Sequence, residues 1–241
     1  MRVLALDTTT REGSVALVED DRVVDERRGD GSRTHAERLP SELADLAAAH
    51  GVAWADIDLF AVASGPGSFT GLRIGIATIQ GLAFVNRRRV VAVAALDALA
   101  QVASADRAAG TIVAAWMDAH RHDVFTALYR VTDAPLFTPE RLAAVEAPSV
   151  GDPLETLTRW SAYFDRGSVF IGDGAVKYRG EIDRGAAGAA VTAPPPLAGA
   201  IGRIALARAA RGDTVDPAGI QPLYVRRPDA EIDREKKRSP Q

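Results

Sequence analysis

Cysteine is absent from the 241 residues, which excludes disulfides, thiol catalysis and cysteine-ligated zinc together. Lysine is scarce as well: Lys177, Lys236 and Lys237 are the only three, so arginine carries nearly all the positive charge. Nor is there an excess of either sign, because 29 Lys and Arg stand against 32 Asp and Glu, for a net charge of −3. A strong grip on nucleic acid by this chain alone is therefore not expected. Long apolar runs are missing too. The longest clean one is Val90 to Leu96, and the opening run Val3-Leu4-Ala5-Leu6 is too short for a membrane span or a signal-peptide core. The expected location is the cytoplasm, with no membrane contact. No nucleophile elbow G-x-S-x-G and no H-E-x-x-H occurs, and no Gly-Lys-Ser/Thr follows the glycine-rich stretch, which excludes a Walker loop.

The composition that is present, 47% hydrophobic and 25% charged, suits a globular chain with a real core. Val3 to Asp7, Ser14 to Glu19 and Arg22 to Arg28 read as strands, the last two joined by an Asp20-Asp21 turn. Thr34 and Glu37 form a T-x-x-E capping box for a helix that carries Leu39, Leu43 and Leu46 on one face and ends at Gly51. A buried strand from Leu59 to Ser64 leads into Gly65-Pro66-Gly67-Ser68-Phe69-Thr70-Gly71, and a helix follows from Thr70 to Val85. Arg89 to Ala94 is a strand and Leu96 to Ala105 a helix. After Gly110 the pattern restarts, with a strand from Thr111 to Met117, Asp118, a polar turn and a strand from Val124 to Val131.

Asp7 precedes Ala16-Leu17 by nine positions, and Asp118 precedes Ala127-Leu128 by the same nine. That match predicts an internal duplication, each half an α/β lobe with a mixed sheet covered by helices. The expected lobes are 1–105 and 106–225. Further on, Val169 to Ile171 runs into Gly172-Asp173-Gly174, and Leu197 to Arg211 reads as a helix. Pro194-Pro195-Pro196 and the Gly/Ala stretch near Gly185 read as loops, and 226–241 as a charged, disordered tail.

Several groups of residues are candidates for chemistry or binding. Asp7, Thr8 and Thr10 in the opening turn can orient a metal or cradle phosphate oxygens, or can simply satisfy turn amides. Gly65, Gly67 and Ser68 can bring backbone amides close to an anion, or form a tight strand-to-helix turn. Gly71, Gly75 and Thr78 share a small-residue face that suits close approach of another helix. His120 and His122 flank Arg121 in the second turn, where a solvated turn and a metal pair both fit the spacing. His35 and His50 stand at the two ends of the capped helix. No catalytic residue and no metal site is assigned.

Leu4-Ala5-Leu6-Asp7-Thr8, Gly65-Pro66-Gly67-Ser68-Phe69-Thr70-Gly71-Leu72-Arg73, Met117-Asp118-Ala119, Gly172-Asp173-Gly174 and Pro222-Leu223-Tyr224 together resemble the TsaB family, over most of the chain. The resemblance implies a duplicated actin-like ATPase (ASKHA) fold and a non-catalytic subunit of the complex that adds threonylcarbamoyl to adenosine in tRNAs reading codons that start with A. It implies a heterodimer with the catalytic relative TsaD through helices of the first lobe, joined by the ATPase TsaE, with tRNA bound only through the complex. On this reading His35, Leu39, Leu43, Leu46, Gly71, Gly75 and Thr78 face the partner, and Gly75→Arg should leave the fold intact but abolish pairing. Pairing of the lone chain with a second copy, as a homodimer through the same surface, is left open by the sequence.

Two departures bear on catalysis. The histidine pair that holds the metal of the catalytic relative has no counterpart in Val90 to Ala100, and Thr9 stands where active actin-like ATPases usually have glycine. No cofactor is expected on the isolated chain, and the joint with the partner is left open for ATP or ADP. The competing reading is a small-molecule kinase or ATPase of the actin-like superfamily that uses Asp7; a metalloprotease would need ligands that the sequence lacks.

Overall fold

Period-two alternation sorts the side chains of the opening strands between two faces of a sheet. In the computed structural model, which describes residues 1–226, the strands are β1 (Arg2–Asp7), β2 (Ser14–Glu19), β3 (Arg22–Arg28), β4 (Leu59–Gly65) and β5 (Arg89–Ala94). They form one sheet in the order β3-β2-β1-β4-β5, antiparallel on the β2 side of β1 and parallel on the β4 side. Strands β6 (Ile112–Asp118), β7 (Val124–Val131), β8 (Leu142–Gly151), β9 (Val169–Ile171) and β10 (Ala190–Thr192) form a second sheet in the order β8-β7-β6-β9-β10, with the same senses. Strand for strand the second sheet repeats the first, which is the duplicated actin-like α/β architecture. The expected tail lies, apart from Arg226, outside the described residues.

Helices α1 (His35–Ala49) and α2 (Phe69–Val85) cover the outer face of the first sheet. There Leu4, Leu6, Val15, Leu17, Phe60 and Val62 meet Leu39, Leu43, Leu46, Ile76 and Ile79 in one buried cluster. At the start of α1 the Glu37 carboxylate accepts the Thr34 amide at 2.8 Å and the Thr34 hydroxyl at 2.7 Å. Helix α3 (Ala95–Ala103) leaves the first half and packs on β6. On the outer face of the second sheet lie α4 (Pro153–Trp160), α5 (Asp173–Lys177) and α6 (Arg179–Gly185), over a core of Trp116, Leu128, Leu157, Trp160, Phe170 and Ile182. Helix α7 (Ala198–Ala209) comes from the second half, yet lies on β1, β2 and β4 of the first sheet. The two inner faces thus share one core, in which Val3, Ala5 and Ala16 join Val113, Ala115 and Ala127 through Leu99 and Ile201.

Several elements escape the sequence pattern. Strand β8 is an edge strand carrying Pro148, and its partial burial blurs the alternation. The Gly/Ala stretch near Gly185, expected as loop, contains the end of α6 and then the three residues of β10. Helix α4 did carry a start signal: Asp152 accepts the amides of Leu154 and Glu155 at 2.8 and 3.1 Å, and Pro153 occupies the first helical position.

Candidate functional site

The opening turn and the glycine loop, two separate candidates in the sequence, meet at one end of the first sheet. Asp7 ends β1 and is 3% exposed. Its Oδ1 accepts the Thr9 amide at 2.9 Å and the Thr9 hydroxyl at 2.7 Å. Burial pushes the Asp7 carboxyl above its ordinary value; the two Thr9 bonds act against that, and the charge of Asp173 adds to it. Thr10 closes the turn by accepting the Gly13 amide on its hydroxyl at 3.2 Å. The glycines answer to this turn. A Cβ on Gly67 would lie 2.6 Å from the Thr9 carbonyl oxygen, and one on Gly65, at φ +114°, would lie 2.9 Å from the Leu223 oxygen. The Ser68 amide donates to the Thr9 carbonyl at 2.8 Å, while the Ser68 hydroxyl accepts the Gly71 amide at 3.2 Å. Two amides that an anion would use at this helix start are engaged within the chain.

The residues expected to face a partner turn inward, which corrects that expectation. Leu39, Leu43 and Leu46 are buried in the chain's own core. A Cβ on Gly71 would stand 2.3 Å from the Thr8 carbonyl oxygen, and one on Gly75 would stand 2.2 Å from the Thr8 hydroxyl. Both glycines therefore let α2 sit on the end of β1 rather than admit a foreign helix. His35 is buried: its Nε2 lies 3.0 Å from the Thr10 carbonyl, and its Nδ1 lies 2.7 Å from the Arg38 guanidinium. Burial, and then the Arg38 charge, push the His35 imidazole below its ordinary value. Thr78 is half-buried and donates to the Ile74 carbonyl at 2.8 Å.

A different face of the same two helices is open. On α1 it consists of Ala36, Pro40, Ala44 and Ala48, and on α2 of Phe69, Arg73, Ala77, Gly81 and Val85, all exposed and four apart. Such i+4 rows are the ridges that interlock when helices pack. Nothing lies within 4 Å of a Cβ on Gly81, and Phe84 and Val85 are 76% and 77% exposed. The sequence signal for this face existed, but α2 is apolar nearly all round, so periodicity alone does not choose its buried side.

The end of this ridge carries a cluster that the sequence reading missed. The Phe69 and Tyr224 rings lie 5.3 Å apart, the Arg73 guanidinium sits 4.0 Å over Phe69, and Arg73 Nε donates to the Tyr224 hydroxyl at 3.1 Å. The chain reaches this point because the Leu223 amide donates to the Ser64 carbonyl at 2.7 Å. The start of α7 is already capped: Ser14 Oγ accepts the Leu197 and Ala198 amides at 3.1 and 3.0 Å, and Glu26 accepts the Gly199 amide at 2.8 Å.

In the second turn His120, Arg121 and His122 all have positive φ, at 56°, 52° and 67°. Asp118 accepts the His120 amide at 3.0 Å and the Lys177 ammonium at 2.9 Å. Burial pushes the Asp118 carboxyl up, yet Lys177 and the His120 amide together hold it below its ordinary value. Arg226 fastens both ends of the turn, donating to the Ala119 carbonyl at 2.7 Å and pairing with Asp123. Both histidines are exposed, and among the described residues no three His, Asp or Glu gather as a metal site.

Comparison with known proteins gives a consistent result. A family model described as TsaD, tRNA N6-adenosine threonylcarbamoyltransferase, matches residues 29–149. The chain is 32% identical to the tRNA threonylcarbamoyladenosine biosynthesis protein TsaB of Escherichia coli (strain K12), over 94% of this chain and 95% of that one. It is 30% identical to TsaB of Bacillus subtilis (strain 168), over 71% of each. A crystal structure from Pseudomonas aeruginosa, described as an uncharacterized protein with similarity to peptidase YEAZ, superposes with a TM-score of 0.77 at 32% identity, covering 93% of this chain and 99% of that one. Component A of (R)-2-hydroxyglutaryl-CoA dehydratase from Acidaminococcus fermentans, at 12% identity and a TM-score of 0.52, shares the fold.

Proposed function

Because this chain belongs to the TsaB family of tRNA threonylcarbamoyladenosine biosynthesis proteins, we propose that it serves that modification as a docking subunit and does not itself perform the transfer. The observation that carries the reading is the pair of open ridges on α1 and α2, with Gly81 as a notch and Phe84 and Val85 beside it. Exposed rows of mostly small and apolar side chains of this kind fit a helical partner better than water. The partner is a TsaD-type catalytic relative, with a TsaE-type ATPase and tRNA joining through the complex; a second copy of this chain uses the same face when the partner is missing. The region corresponding to the histidine pair of the catalytic relative is β5 and the start of α3, where Ala95, Leu96, Ala98 and Leu99 are buried. Apolar side chains there supply no metal ligand, which supports the division of labour.

Substitution Gly81→Arg tests the reading. A Cβ at this exposed position meets no atom of its own chain within 4 Å, so the variant should fold with an unchanged melting temperature, lose co-purification with the TsaD-type relative, and stop tRNA modification in a reaction reconstituted with that relative and the ATPase. Retained pairing and full modification would remove this face from the proposal.

A further inference from the structure

The ridge on α2 does not end in apolar surface. Its terminal turn, at the start of the helix, carries Arg73 beside Phe69, and we infer that Arg73, stacked on Phe69 and tethered to Tyr224, is a preformed receptor for a carboxylate presented by the protein partner. The inference rests on the docking reading above and adds to it the chemistry of one contact. Arg73 is exposed and lies four residues from both Phe69 and Ala77, so it belongs to the same row that leads to Gly81 and Val85. Its guanidinium is immobilised twice, by the Phe69 face at 4.0 Å and by the Nε bond to the Tyr224 hydroxyl at 3.1 Å. Both holds use the ring face and Nε. Among the described residues the two terminal Nη groups have no hydrogen-bond partner and no carboxylate opposite them.

Arg2, Arg27, Arg28, Arg203 and Arg211 each hold a carboxylate of the chain itself. An arginine held flat with its fork free is organised for a bidentate carboxylate, because the entropy of ordering the side chain is already lost. Its surroundings select the source of that carboxylate. Phe69, Leu223 and Tyr224 are partly exposed, and Ala77 continues the ridge, so apolar side chains border Arg73, while the nearby Arg226 is engaged by Ala119 and Asp123. Nucleic acid would call for a track of several cations. An arginine among aromatic side chains, at the end of an apolar helix face, is instead the composition of a protein–protein anchor.

The experiment titrates the purified TsaD-type relative of the same organism into this chain by calorimetry at two salt concentrations. Arg73→Ala should weaken pairing by about 10- to 100-fold and flatten its salt dependence, with an unchanged melting temperature. Arg73→Lys should recover only part of the loss, because an ammonium neither stacks nor forks. Tyr224→Phe keeps the ring contact and frees Nε, so its loss should be smaller, about 3-fold. If Gly81→Arg abolishes pairing while Arg73→Ala leaves it unchanged, the docking face stands and the carboxylate receptor falls. If neither substitution matters, both readings fall. A lower melting temperature with unchanged pairing would make Arg73 a mere tether for the chain end. Weaker binding of tRNA to the assembled complex, with pairing intact, would make it an RNA contact; either result overturns the inference.

Discussion

The two halves of the molecule open with the same hairpin, yet their aspartates do opposite things. Ala5 and Ala115 both point into the shared inner core. Asp7 stands two residues beyond the first and Asp118 three beyond the second, so alternation places Asp7 on the inner face and Asp118 on the outer one. The consequences are visible in their neighbours. Asp7 meets Thr9 and the negative charge of Asp173, whereas Asp118 meets Lys177 from outer-face helix α5. The equal spacing of nine between each aspartate and the following Ala-Leu conceals this offset, because the first turn holds one residue more than the second. The two sheets share one strand order, while a one-residue difference in where the aspartate falls along its strand puts the two carboxylates on opposite faces.

The covering helices differ as well. In the first half α2 runs 17 residues and sits on the hairpin through Gly71 and Gly75; in the second half α5 has only five residues. The largest expected effect lies at that contact. Gly75→Arg, expected from the sequence to spare the fold, should instead prevent it, since its side chain would enter Thr8 in a packed core. Overpacking of even a few methylenes costs about 1–3 kcal/mol, and an arginine exceeds that. Soluble, cooperatively melting Gly75→Arg protein would show that α2 can lift from β1.

A middle-sized effect is expected at Asp7. The folded-state pKa is raised, so ionisation opposes folding above the unfolded value and acid relieves that opposition. Asp7→Asn keeps the acceptor for both Thr9 bonds and removes the buried charge. Urea melts should show higher stability at neutral pH, the gain shrinking as the pH falls toward that of a protonated wild-type Asp7. A gain constant with pH would mean that Asp7 carries no charge penalty. The smallest effect belongs to Lys177→Ala. Asp118 has a depressed folded pKa, so its contribution is present above the unfolded carboxylate value and is lost in acid. The pair is partly exposed, and its loss should cost no more than about 1 kcal/mol, less at high salt. A larger loss would point to a role for Lys177 in holding the His120–His122 turn.

Most of the fold was legible because strong alternation and clear turn residues coincide: Ser14 to Glu19, Arg22 to Arg28, Arg89 to Ala94, Val124 to Val131 and Val169 to Ile171 are strands with the bounds read from sequence. Strand β8 and the short β10 were not, since edge position and small residues weaken the pattern. Asp7, Thr8, Gly67 and Ser68 were legible as candidates one by one, but not their meeting, which joins residues some sixty positions apart. The orientation of α2 was not. Gly71 and Gly75 were read as an outward stripe because small residues suit a helix–helix contact, and nothing in a nearly all-apolar helix says whether that contact is with β1 or with a partner. The Phe69–Arg73–Tyr224 cluster joins residues 151 positions apart, beyond any local pattern.

Helix α7 has a consequence for how the molecule is made. The sheet that leaves the ribosome first is roofed on its inner side by a helix that ends at Ala209. During elongation at roughly 5–20 residues per second, Val3, Ala5, Ala16 and Val18 wait on the order of ten seconds after β5 is complete before that roof arrives. A nascent chain in this interval presents an apolar sheet face to its surroundings. Ordering of the first half is thus tied to completion of the second, and a stalled or truncated product is a client for chaperones rather than half of a working protein.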